Sequence, residues 1–162
     1  TFMIAWVRSH GAEAGFQALF WSVIGLGAMA SPWLWAGVLR RVLHGRAFAL
    51  LTGVTTTGAA LPLVSSATST LVVSAALFGS AFFAVVAATT AFVRRNLPPE
   101  GWASGIGALT VGFGIGQTIG PIGVGLLSDG VGGLDGGLWT SAGLLLVAAI
   151  LGMAQRDFAA KS

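Results

Sequence analysis

Every charged side chain in this sequence stands at the edge of a long run that carries no charge. Eight bases (Arg8, Arg40, Arg41, Arg46, Arg94, Arg95, Arg156, Lys161) and five acids (Glu13, Glu100, Asp129, Asp135, Asp157) bound five such runs: 14–39, 47–65, 68–93, 102–128 and 136–155. The hydrocarbon core of a bilayer, ~30 Å thick, takes about 20 helical residues to cross, and each run meets or nearly meets that length. A chain of 162 residues with 55% hydrophobic and 8% charged residues and a mean hydropathy of +0.88 cannot cover its own surface as a water-soluble domain would. The runs predict an all-α, polytopic membrane helix bundle with five complete spans in a lipid bilayer. Residues 1–8 are apolar up to Arg8, too short to cross, begin without Met and lack the basic start of a signal peptide. They read as the last turns of a first helix, truncated at its front.

Lysine and arginine resist translocation and collect on the cytoplasmic side. Arg40, Arg41 and Arg46 fall in the second connection, Arg94 and Arg95 in the fourth, and Arg156 and Lys161 in the tail, whereas the odd connections carry Arg8 alone. The carboxy terminus is therefore expected in the cytoplasm, and compact loops fit a prokaryotic inner membrane. The pI of about 11.2 reflects these anchors; bases dispersed over separate loops beside apolar helices do not form a nucleic-acid patch. Trp6, Trp33, Trp35, Trp102 and Trp139 lie near expected span ends, where indoles favour the headgroup level. Trp21 lies inside a span, within a turn of Gln17, and either packs between helices or faces a cavity.

The stretch GFGIGQTIGPIGVG, residues 112–125, holds six glycines in an otherwise apolar run. Gly112, Gly116 and Gly120 recur at i, i+4 and i+8, so one helix face is bare and a second backbone can come close. Pro121 removes a hydrogen-bond donor and is expected to bend the helix. A bent, glycine-faced helix suits a gate or sliding surface. A phosphate cradle is excluded, because the glycines miss the dinucleotide-binding spacing and no strand precedes them. There is no Cys, and two His in different loops give no ligand cluster, so no metal site or cofactor is expected. No acid or His falls inside a span, so a residue coupling transport to protons is not visible. The acids near helix ends read as solvated. Thr52, Thr55, Thr56 and Thr57 read as bonding their own i−4 carbonyls, and Pro98 and Pro99 separate two spans.

These residues carry a resemblance. The 112–125 stretch resembles the glycine- and proline-rich antiporter motif of the major facilitator superfamily, in the place of its second-half counterpart, helix eleven. The basic connection GVLRRVLHGRA, 37–47, is similar to the superfamily's loop motif between helices eight and nine: Gly37, Arg41, Gly45 and Arg46 match, and the motif's Asp is missing. GLLSDGVG, 125–132, has motif-like spacing but falls on the expected outer side. The run ALFWSVIGLGAMASPWLWAGVL with its basic loop most resembles the YbfB/YjiJ-like branch, many of whose members have no assigned substrate.

The resemblance implies the carboxy-terminal half of a twelve-helix secondary transporter: 1–8 the end of helix seven, 14–39 helix eight, 46–65 helix nine, 68–93 helix ten, 101–128 helix eleven and 136–155 helix twelve. Its partners would be the amino-terminal half and a small-molecule substrate, with proton coupling open, and it would work by alternating access around a midplane site. Superfamily members line that cavity with helices seven, eight, ten and eleven. This singles out Gln117, near mid-span and sharing a face with Thr110, then Gln17, Trp21 and Ser80, with Ser22, Ser74 and Thr118 behind them; Gly112, Gly116, Gly120 and Pro121 would form the gate. Two other classes stay open. A stand-alone oligomeric channel or scaffold would need a second copy to complete its wall. An intramembrane enzyme would use Ser104 in WASG, but that serine lacks an intramembrane His to activate it, so the chain reads as not an enzyme.

Overall fold

A computed structural model of the chain describes residues 2–128 and 133–157. Within them the chain forms α1 (Phe2–Ser9), α2 (Ala14–Arg41), α3 (Arg46–Val64), α4 (Thr68–Asn96), a short 3₁₀ turn (Pro99–Gly101), α5 (Trp102–Ser128) and α6 (Gly133–Ala154). Among the described residues there is no strand, and the five helices after α1 are long and apolar enough to cross a membrane. Helices suit that setting because each satisfies its backbone groups internally where lipid offers no partner.

Several helices outrun the uncharged runs. α2 continues through Arg40 and Arg41, and α4 through Arg94, Arg95 and Asn96. At 28 and 29 residues they are ~42 Å long, so their last turns project past the hydrocarbon. Arginine is welcome there, since its charge opposes the negative end of the helix dipole and its stem lies along apolar surface. The first charge therefore marks the membrane boundary rather than the helix end.

α2 packs along α4, α4 along α3, and α3 along α6, while α1 touches the start of α2 and α6. Close approach at these crossings depends on missing side chains. A Cβ at Gly27 would sit 2.8 Å from the Ser80 amide nitrogen, and one at Gly58 would sit 2.7 Å from that of Phe78. Gly79 faces the Ile24 backbone at similarly short range. One buried cluster, around Met3, Trp6, Val7, Phe20, Leu71 and Leu138, fills the end of the bundle near α1; a second, Ala47, Leu51, Ala84 and Ala88, fills the opposite end. Ser74, fully buried, donates across the α3–α4 contact to the Gly58 carbonyl at 2.6 Å.

α5 stands apart from this. Its first turns dock on the end of α4, where Gly105 approaches Val93 and Leu97, Trp102 Nε1 donates to Leu97 O at 2.9 Å, and Arg94 lies 5.2 Å over the Trp102 ring. Near its far end Val124 is buried. Between them residues 108–122 are all exposed, and the helix runs unbroken through Pro121.

Candidate functional site

The exposed middle of α5 is one of the parts of the bundle with unused contact surface, as the outer face of α2 is another. A Cβ added at Gly112, Gly116 or Gly120 would meet nothing within 4 Å, so no helix of this chain uses that ridge. Gln117 is exposed on the same stretch, seven residues on from Thr110. Thr110 and Thr118 each donate to the carbonyl four residues back, Ile106 and Gly114.

Beneath the raised part of α5 lies a crevice of about 500 Å³ between α3, α4, α5 and α6. Its walls are largely apolar, with Phe48, Phe82 and Phe113 among them, and the Phe82 and Phe113 rings face each other across the α4–α5 gap at 6.4 Å. Five threonines interrupt that surface: Thr52, Thr55, Thr89, Thr90 and Thr110. Four spend their hydroxyl hydrogen on carbonyls of their own helices, Thr55 on Leu51, Thr89 and Thr90 on Val86, and Thr110 on Ile106. Thr52 is only 1% exposed and its Oγ1 has no hydrogen-bond partner. The expected i−4 bond thus forms at Thr55, Thr56 and Thr57 but not at Thr52.

A smaller lobe of about 380 Å³ adjoins the crevice through Phe48, Thr89, Leu109 and Ala148 and extends to His44 and Gln155. That end is closed by polar contacts between the α2–α3 loop and the chain after α6. His44 adopts a left-handed backbone (φ 60°), and Gly45 N–H donates to Gln155 O at 3.1 Å, with no room for a Cβ against Gly152. Asp157 is bound on both sides: Asn96 Nδ2 donates to Oδ1 at 3.0 Å, and His44 Nδ1 lies 3.0 Å from Oδ2 and 3.2 Å from the Asp157 amide. The Asn96 hydrogen bond, aided by the charges of His44 and Arg95 and opposed by partial burial, holds the Asp157 carboxyl below the ordinary aspartate value. Arg95 also reaches Val42 O at 3.3 Å. The expectation of solvated acids thus gives way at Asp157, which is half-buried and held on both sides, and holds at Asp135, which is exposed while accepting a hydrogen bond from Trp6 Nε1. The loop lacks the superfamily motif's aspartate, yet a carboxylate reaches it from the tail, 113 residues along the chain.

The other singled-out residues scatter. Gln17 lies in the first turn of α2 with its amide on Ala12 O; Trp21 is half exposed; Ser22 bonds Ala18 O. Ser80 is buried with its hydroxyl on Leu77 O, while its carbonyl accepts from Trp35 Nε1. Ser104 donates to Gly101 O. Gly37, Arg41 and Arg46 are exposed, whereas Gly45 is buried. Asp129, Lys161 and the second half of the 125–132 echo lie outside the described residues.

The sequence that builds this bundle, with its glycine-bearing α5 and basic loop, matches a known pattern. The sequence model of the family described as uncharacterised MFS-type transporter YbfB, where MFS is the major facilitator superfamily, matches residues 1–153. The chain belongs to this family. It is accordingly a multi-pass integral membrane protein of a transporter family. No curated protein and no solved structure matched the chain.

Proposed function

We propose that these helices form the carboxy-terminal bundle of a major facilitator secondary transporter that moves a small solute by alternating access, its carboxy terminus in the cytoplasm. The observation that carries the proposal is the uncovered glycine ridge of α5: a Cβ added at Gly112, Gly116 or Gly120 would meet no described atom of another helix within 4 Å, on a stretch whose residues are all exposed. An amino-terminal bundle pressing on that ridge could slide without side-chain interlock, because contact there is backbone on backbone. Orientation is supported by Arg40, Arg41, Arg46, Arg94, Arg95 and Arg156, which lie at the linked ends of α2, α3, α4 and α6. In this arrangement Gln117 contacts the solute from the exposed middle of α5.

This chain has no cysteine, so cysteines introduced into it are its sole thiols, and any thiol elsewhere in the full-length protein is first replaced by serine. In the full-length transporter, Leu109→Cys and Ile122→Cys, near opposite ends of α5, should be labelled reciprocally as the access state changes. Adding Gly116→Leu or Gly120→Leu should leave membrane insertion intact but slow that exchange by about tenfold, the rate equivalent of 1.4 kcal/mol. Unchanged exchange in both variants overturns the gate.

A further inference from the structure

We propose that the crevice beneath α5 binds an uncharged, mainly apolar small molecule that carries one hydrogen-bonding group, at a site of its own apart from the solute path along Gln117.

The chemistry of the lining selects the ligand. Among the described residues no charged side chain lines the crevice, and a charge placed there would be desolvated without a partner, at a cost of several kcal/mol. The volume of about 500 Å³ falls in the range of small-molecule sites, and walls that are mainly apolar with a few convergent polar groups are typical of them. Four threonine oxygens keep free lone pairs after donating to their own helices, and Thr52 keeps both its hydrogen and its lone pairs. A hydroxyl on the ligand can donate to one of the four and accept from the Thr52 hydroxyl. Thr52 occupies two χ1 positions in helices, which exchange its methyl and hydroxyl sites, so its Oγ1 can meet a guest without backbone movement. In the rotamer present the Thr52 hydroxyl is buried without a partner, a cost that a hydrogen bond to a guest would remove. Access is open from the α4–α5 gap, where Val86, Leu109 and Phe113 remain exposed.

The test uses the full-length transporter in lipid nanodiscs and a photoreactive probe, an octanol bearing a diazirine, with the diazirine octane lacking the hydroxyl as its partner. After illumination, peptide mass spectrometry should place octanol adducts on Phe82 and Phe113 in preference to the lipid-facing Leu146 and Ile150. The octane should label those two phenylalanines more weakly. Thr52→Val, which keeps the side-chain shape, should lower octanol labelling there by roughly threefold or more, the weight of one hydrogen bond in a membrane, and Thr52→Ser should restore it. Adducts spread evenly over Leu146 and Ile150, or equal labelling in Thr52→Val, overturns the site. Reciprocal labelling of Leu109→Cys and Ile122→Cys, measured on the same protein, tests alternating access separately, so the failure of one reading is distinguishable from that of the other.

Discussion

Two glycine-bearing regions of this bundle look alike in sequence and behave differently in space. At the α2–α4 and α3–α4 crossings, Gly27, Gly79 and Gly58 lie so close to a neighbouring backbone that a methyl group would collide with it. Along the middle of α5, a Cβ added at Gly112, Gly116 or Gly120 would meet no atom of the described residues within 4 Å. Lipid tails offer no hydrophobic reward for helix association, so contact area and hydrogen bonds decide which helices stay together. The first set of glycines has been used for fixed packing inside the bundle. The second is left open by the described residues, which is what the proposed sliding surface requires.

The sharpest attack on the contrast is Gly79→Leu. Its side chain would enter the Ile24 backbone, and the expected cost is ~3 kcal/mol or more, at the upper end of overpacking; little folded protein should be recovered from membranes, and a normal yield would erase the distinction. Next is Ser74→Ala, which removes the buried bond to Gly58 O at the same crossing. It should lower unfolding free energy in detergent by ~0.6 to 1.7 kcal/mol, measured by denaturant titration.

A smaller effect is expected from acid at the loop end. The Asp157 carboxyl titrates below its ordinary value because Asn96 binds its charged form. The stabilisation is therefore present above the unfolded value of about 4 and is lost as pH falls through the folded value. Protection of the α2–α3 loop amides, that is hydrogen exchange corrected for its intrinsic pH dependence, should fall on acidification, and Asp157→Asn should remove most of that change. Smallest of all, Gly120→Leu should leave bundle stability unchanged or slightly raised, since leucine is the better helix former and meets no neighbour within the chain. A destabilisation like that of Gly79→Leu would show α5 to be packed after all. Alongside it, Gln117→Leu should change apparent solute affinity more than protein abundance.

Much of the framework was legible along the chain. The uncharged runs located all five long helices, and the errors lay at their ends, where arginines extend α2 and α4 into the headgroup layer. The loop matches were readable too, but not their geometry: Gly45 is buried beside Gly152, whereas Gly37 is exposed. Asp157 gave no signal, because its partners His44 and Asn96 are distant in sequence. Thr52 was indistinguishable from its neighbours, since an i−4 carbonyl stands behind every one of these threonines whether or not it is used.

Span length, helix type and the placement of charge are properties of one segment in contact with one solvent, and local composition was enough to determine them. Which glycines are pressed and which are free, which threonine lacks a partner, and which carboxylate reaches the basic loop all depend on two or more helices meeting. Small residues create the opportunity for close approach without specifying what approaches, so only the tertiary arrangement could decide between a fixed crossing and an open ridge.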